Sequence, residues 1–113
     1  MTKDYLLNIR CPKELRENFA LFCDSCGLTM SEAVNMLVQE AIAVDGVPFR
    51  IGVTDMSGIK EMSGNGFEDR FNVRINKENR EAFTAVCKGV GLPMAKVVKM
   101  FMIRCLHEGK IPF

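Results

Sequence analysis

The chain has 113 residues, 48% of them hydrophobic and 26% charged, the balance of an ordinary soluble fold rather than of a disordered chain. No apolar run approaches the ~20 residues of a spanning helix, Met1-Thr2-Lys3-Asp4 leads into too short an apolar run for a secretory signal, and the length is short for a complete Rossmann or barrel enzyme. The net charge of +1 hides an uneven spread: residues 1–49 carry four basic and seven acidic side chains (net −3), residues 50–69 two and four (net −2), and residues 70–113 nine and three (net +6).

Residues 8–49 align with residues 72–113 at a constant offset of 64, without gaps, and fifteen of the 42 positions are identical. A match of this length marks an internal duplication. It divides the chain into a first unit at 1–49, a connector at 50–69 and a second unit at 70–113. Each unit is too small for a substantial core of its own, so the two must bury their apolar faces on each other as one intertwined domain.

In chain order, Leu7, Ile9 and Cys11 alternate with Asn8 and Arg10, the period of a half-buried strand. Pro12 ends it and suits a first helical turn. Helix A follows over 13–26, with Leu15, Phe19, Phe22, Cys23 and Cys26 as its apolar stripe and Gly27 at a left-handed cap. Helix B opens on a capping box, Thr29-Met30-Ser31-Glu32. It buries Ala33, Val34, Leu37, Val38 and Ala41, and Gly46 marks its end before Pro48-Phe49. The connector contains Gly52, Ser57-Gly58 and Ser63-Gly64-Asn65-Gly66, a flexible composition. Its apolar members are Ile51, Val53, Met56, Ile59 and Met62.

The second unit repeats the pattern. Phe71, Val73 and Ile75 alternate with Asn72 and Arg74. Helix A over 77–90 carries Phe83, Val86, Cys87 and Val90, with Gly91 at its cap. Helix B begins at Pro93 and carries Val97, Val98, Phe101, Met102 and Cys105, with Gly109 before Pro112-Phe113. A lone strand leaves its backbone groups unpaired, so the strands at 5–11 and 69–75 are expected to pair as one antiparallel ribbon. Asn8, Arg10, Asn72 and Arg74 then lie on its exposed face.

Five cysteines, an odd number, with no preceding signal argue against a disulfide framework and for a reducing, cytoplasmic compartment. Cys23 and Cys26 form a Cys-x-x-Cys, yet both fall on the apolar stripe and read as core rather than as metal ligands. His107 reads as structural. No phosphate loop, paired-carboxylate site or Ser-His arrangement is present, so neither an enzyme, a metal nor a cofactor is expected.

The arrangement resembles the ribbon-helix-helix superfamily of DNA-binding proteins. Phe71-Asn72-Val73-Arg74 and Leu7-Asn8-Ile9-Arg10-Cys11-Pro12 resemble the reading strand of Arc-type repressors. Lys13-Glu14-Leu15, Gly27-Leu28-Thr29-Met30-Ser31-Glu32-Ala33 and Pro48-Phe49 are similar to RelB/DinJ-type antitoxins. The likeness covers about 90 residues, twice in the same order. It implies a mainly α fold, a single-chain pseudo-dimer with one ribbon and four helices. In this superfamily the ribbon enters the major groove. Carried over by position, the base readers are Leu6, Asn8, Arg10, Arg70, Asn72 and Arg74. The phosphate contacts are Thr29, Met30, Ser31, Met94, Ala95 and Lys96, at the helix B N-termini. Leu6 departs from the polar residue expected there.

The implied function is sequence-specific repression on double-stranded DNA, with a second copy of the chain on an adjacent half-site and no membrane partner. The alternative is antitoxin-like inhibition of a toxin or other protein. RelB/DinJ-type antitoxins carry a toxin-wrapping segment beyond the Pro-Phe; here the second unit stops at Phe113, which leaves only the connector for that part.

Overall fold

The computed structural model describes residues 4–49 and 68–113. In chain order they form β1 (Asp4–Pro12), α1 (Lys13–Ser25), α2 (Met30–Val44), β2 (Glu68–Asn76), α3 (Lys77–Val90) and α4 (Met94–Glu108). Residues 50–67 of the expected connector, with their five apolar side chains, lie outside the described residues. The last two positions given to the connector, Glu68 and Asp69, open β2.

β1 and β2 pair antiparallel within the chain, from Asp4 opposite Asn76 to Pro12 opposite Glu68, with Asn8 opposite Asn72 at the centre. Asn8 and Asn72 are equivalent positions of the repeat, so a pseudo-twofold axis passes between them. Each strand runs one residue further at both ends than the alternation indicates. Pro12, which has no N–H to donate, sits at a strand end, where that costs least.

The alternation sets the inner face. Leu7, Ile9 and Cys11 from β1 and Val73 and Ile75 from β2 are buried, while Phe71 is half-buried against the same core. The helices supply the rest: Leu15, Phe19, Phe22 and Cys23 from α1, Phe83, Val86 and Cys87 from α3, and the five expected residues of α2. The packing is exchanged between units. α1 packs more extensively on α4 than on its own α2, and α2 more extensively on α3 than on α1. Each half therefore covers the stripe that the other is too small to cover, and the architecture is a single-chain tandem ribbon-helix-helix. Among the described residues, no helix is long and apolar enough to cross a membrane.

The structure corrects or refines the expectations at the helix ends and along α4. Cys26 and Val90, assigned to the stripes, are exposed. They occupy equivalent places at the ends of α1 and α3, where the chain turns away from the core. The left-handed residue ending α2 is Asp45 (φ 53°), directly before the Gly46 expected to mark that end. Asp45 is the repeat partner of Gly109 (φ 69°), and Asp is among the few non-glycine residues that tolerate this region. Finally, α4 buries Met100 and Ile103 in addition to the expected stripe, whereas their counterparts Met36 and Gln39 on α2 are exposed.

Candidate nucleic-acid interface

The six strand residues carried over as base readers are all exposed, and the register joins them in three cross-strand pairs: Leu6 with Arg74, Asn8 with Asn72, and Arg10 with Arg70. At ~3.4 Å per residue the row spans roughly 14 Å, about four steps of duplex DNA at ~3.4 Å each. At its centre Asn8 Nδ2 donates to Asn72 Oδ1 at 2.9 Å. Arg10 and Arg70 place like charges directly opposite each other, an unfavourable pairing in the isolated chain. Leu6 is 60% exposed, an apolar side chain on an otherwise polar row. Among the described residues, none of the three guanidiniums has an ion-pair partner.

The two helix B N-termini differ in chemistry. At α2 the Thr29 hydroxyl accepts from the Glu32 N–H and the Glu32 carboxylate accepts from the Thr29 N–H, each at 3.0 Å. The capping box thus occupies the hydroxyl of Thr29 and sets a carboxylate beside Met30 and Ser31. At α4 the N-cap is Pro93, with no side-chain cap. The N–H groups of Lys96 and Val97 both go to the Pro93 carbonyl at 3.1 Å. The first-turn N–H groups of Met94 and Ala95 therefore have no side-chain cap, and a lysine stands where α2 has Glu32.

Several residues beside the ribbon escaped the sequence reading. Asn35 Nδ2 donates to the Arg74 carbonyl at 2.7 Å and to the Ser31 carbonyl at 2.9 Å, tying the start of α2 to β2. Its repeat partner is Lys99 on α4, which packs against β1. Lys99 lies close enough to Cys11 that its charge opposes the upward shift of that thiol. At one ribbon end Arg16 pairs with Asp69. At the equivalent place Arg80 lies over the Tyr5 ring, 5.4 Å from its centroid. The offset of 64 was the signal for all of these, since it pairs 35 with 99, 16 with 80 and 5 with 69.

Electrostatics follow from these contacts. The Asp69 carboxyl is held below the usual carboxylate range, first by the Arg70 backbone N–H and then by Arg16. Burial pushes the Cys11, Cys23 and Cys87 thiols up to about 11 and Cys105 to about 12, so all four stay protonated and pack as apolar groups. His107 is exposed in the last turn of α4. Among the described residues no cluster of three His, Cys, Asp or Glu side chains is placed to hold a metal.

The RelB antitoxin family model matches residues 4–65 and again residues 68–113, once for each unit. No curated protein and no solved structure matches the chain. The family match covers nearly the whole chain in two copies that coincide with the duplicated fold, and the chain belongs to the RelB antitoxin family.

Proposed function

We propose that this chain is a DNA-binding regulator that lays its two-stranded ribbon in the major groove, with one chain supplying both strands. The observation that carries this reading is the exposed row of three arginines and two asparagines, held in register on a two-stranded ribbon. A two-stranded ribbon fits the width of the major groove, Arg bonds guanine O6 and N7, Asn bonds adenine N6 and N7, and an apolar side chain meets the thymine methyl. In this reading Arg10, Arg70 and Arg74 take guanines, Asn8 and Asn72 exchange their mutual hydrogen bond for a base edge, and Leu6 takes a thymine methyl. The backbone of Met94 and Ala95 and the ammonium of Lys96 take a phosphate on one flank. Thr29, Met30 and Ser31 approach the other strand with the Glu32 carboxylate beside them. Two chains side by side would cover adjacent half-sites. The RelB antitoxin family is a non-catalytic regulatory family, and no step here requires catalysis.

The test is fluorescence-anisotropy titration of the full chain on duplex DNA, including its own upstream region, at several salt concentrations. Log affinity is expected to fall linearly with log salt. Arg74→Ala is expected to weaken the specific site by about 10- to 100-fold, on the order of 1–3 kcal/mol, and to relax one base position. Salt-independent binding, or specific binding unchanged by Arg74→Ala, would sink the reading.

A second reading is inhibition of a partner protein, as the family description implies. It is favoured by the first family match running past Phe49 to residue 65, beyond the helices of that unit. Co-expression with the product of an adjacent reading frame tests it: a stable complex and relief of growth inhibition support it, and their absence argues against it.

A further inference from the structure

The charges beside the exposed face of the ribbon are not spread evenly about the pseudo-twofold axis. At one end stand Arg10 and Arg70, opposite each other. Below them lies α4, packed on β1, with Lys99 near Cys11 and Lys96 one turn earlier on the same face. At the other end stand Arg74 and Leu6. Below them lies α2, packed on β2, with Asn35 bonded to the Arg74 carbonyl and Glu32 one turn earlier. The backbone repeats at these four places while the side chains do not: Leu6 answers Arg70, Glu32 answers Lys96, Asn35 answers Lys99, and only Arg10 and Arg74 agree. Apart from the Arg16–Asp69 and Arg80–Tyr5 contacts at the strand ends, one end therefore gathers Arg10, Arg70, Lys96 and Lys99, and the other Arg74 with the Glu32 carboxylate.

From this we infer that the face is polarised, so that one chain seats on a duplex in a single orientation and reads a non-palindromic site. The inference rests on the DNA-binding reading above and assigns the specificity of that same face. The Arg10–Arg70 end takes guanine edges and the denser phosphate contacts, because two forked donors stand side by side there and two ammonium groups flank them. The Leu6–Arg74 end takes one guanine and a thymine methyl. Reversing the chain on its site would set Leu6 against a base that offers hydrogen-bonding groups and bring Glu32 towards the phosphate that Lys96 had contacted. Both changes are unfavourable, which gives the orientation its selectivity. The repulsion between Arg10 and Arg70 in the free chain is relieved only when an anionic or acceptor-rich surface covers that end.

The experiment is selection of bound sequences from a randomised duplex pool by the full wild-type chain, repeated with Leu6→Arg. The substitution is exposed and completes a symmetric row of Arg, Asn and Arg on each strand, and the like-charge pair it forms with Arg74 repeats the Arg10–Arg70 pair that the ribbon already carries. The expected wild-type consensus is non-palindromic, with guanines concentrated at one end, and the Leu6→Arg consensus is palindromic across the central step. In parallel, Lys96→Ala lowers the log–log salt slope by about one unit, whereas Glu32→Gln leaves the slope no shallower. A palindromic wild-type consensus overturns the polarity while leaving DNA binding intact, and a Leu6→Arg consensus that stays non-palindromic overturns the assignment of that polarity to the Leu6–Arg70 difference. No salt-dependent binding by either protein overturns the DNA reading itself, and the polarity with it.

Discussion

Arg16 and Arg80 hold the same place in the two units, and each reaches across to the opposite unit's strand, yet Arg16 meets the Asp69 carboxylate and Arg80 meets the Tyr5 ring. The same contrast recurs elsewhere. α2 is closed by a reciprocal capping box, while α4 starts on an uncapped proline. α1 starts on an uncapped proline, while the Asn76 side chain accepts from the Asn79 N–H at 2.7 Å to cap α3. The duplicated backbone tolerates these exchanges because caps, ion pairs and ring contacts each contribute about a kilocalorie per mole, whereas the shared apolar stripes carry the fold. The units can therefore diverge in charge without diverging in shape, and the ribbon face inherits that divergence.

The largest expected difference lies in the core. Phe19 and Phe83 are equivalent and fully buried, so Phe→Ala at either position should cost about 3–5 kcal/mol. The surroundings differ. Phe19 stacks on Phe22 at 6.1 Å and meets Phe101 edge-on at 6.0 Å. Phe101 also contacts Phe49 at 6.2 Å and Phe113 at 5.8 Å, so both Pro-Phe ends converge on it. Such pairs add about 0.5–1.5 kcal/mol beyond area burial, and Phe19→Ala is expected to exceed Phe83→Ala by that margin in urea denaturation. Equal losses would show that the aromatic cluster adds nothing beyond its buried area. The cluster itself is lopsided: Phe49 is 8% exposed and Phe113 41%.

Most of the architecture was legible from the repeat. Two apolar stripes found twice placed four helices, and the need to pair two lone strands placed the ribbon to within a residue at each end. Periodicity failed at helix ends, because it cannot tell where a chain leaves the surface that buries it; hence Cys26 and Val90. Gly46 marked the end of α2, and the offset of 64 already paired Asp45 with Gly109, the left-handed residue that closes α4. For the face, alternation was enough to turn Asn8, Arg10, Asn72 and Arg74 outwards. It gave no cross-strand register, and it is the register that sets Leu6 against Arg74. The use of Thr29 by Glu32 was contained in the capping box, but its consequence for an anion at that helix start appears only beside the uncapped α4.

The Asp45–Gly109 pair gives a smaller test. Each closes its helix with a left-handed residue, and a Cβ at Gly109 would meet nothing within 4 Å, so any penalty there comes from the backbone alone. Gly109→Ala should cost about 1 kcal/mol. Asp45→Gly should stabilise by up to about 1 kcal/mol, since it removes both the strained backbone and an acidic group at a helix C-terminus. Thermal unfolding of the two variants checks this. Asp45→Gly leaving the midpoint unchanged or lower would mean that the Asp45 side chain stabilises the turn by more than its conformation costs.

The smallest effect separates the two arginines by pH. The Asp69 carboxyl is depressed in the folded chain. Its contribution is therefore fully present above the pKa of an unfolded aspartate and is lost as pH falls through the lower, folded value. Arg16→Ala removes one of the groups that hold it down and leaves the Arg70 N–H and Lys13 in place, so the folded value rises part of the way back and the acid limb of the stability curve flattens. The cost of Arg16→Ala should accordingly shrink on acidification and vanish once Asp69 is protonated in both states. Arg80 meets an aromatic ring, with no carboxylate in the contact. Its cost, about 0.5–1 kcal/mol for an exposed cation over a ring, should persist unchanged from neutral to acid pH. Urea denaturation of both variants across that interval reads the difference directly. An Arg16→Ala penalty that stays constant with pH would mean that its contact with Asp69 is steric rather than ionic, and the two halves would then be alike at this position.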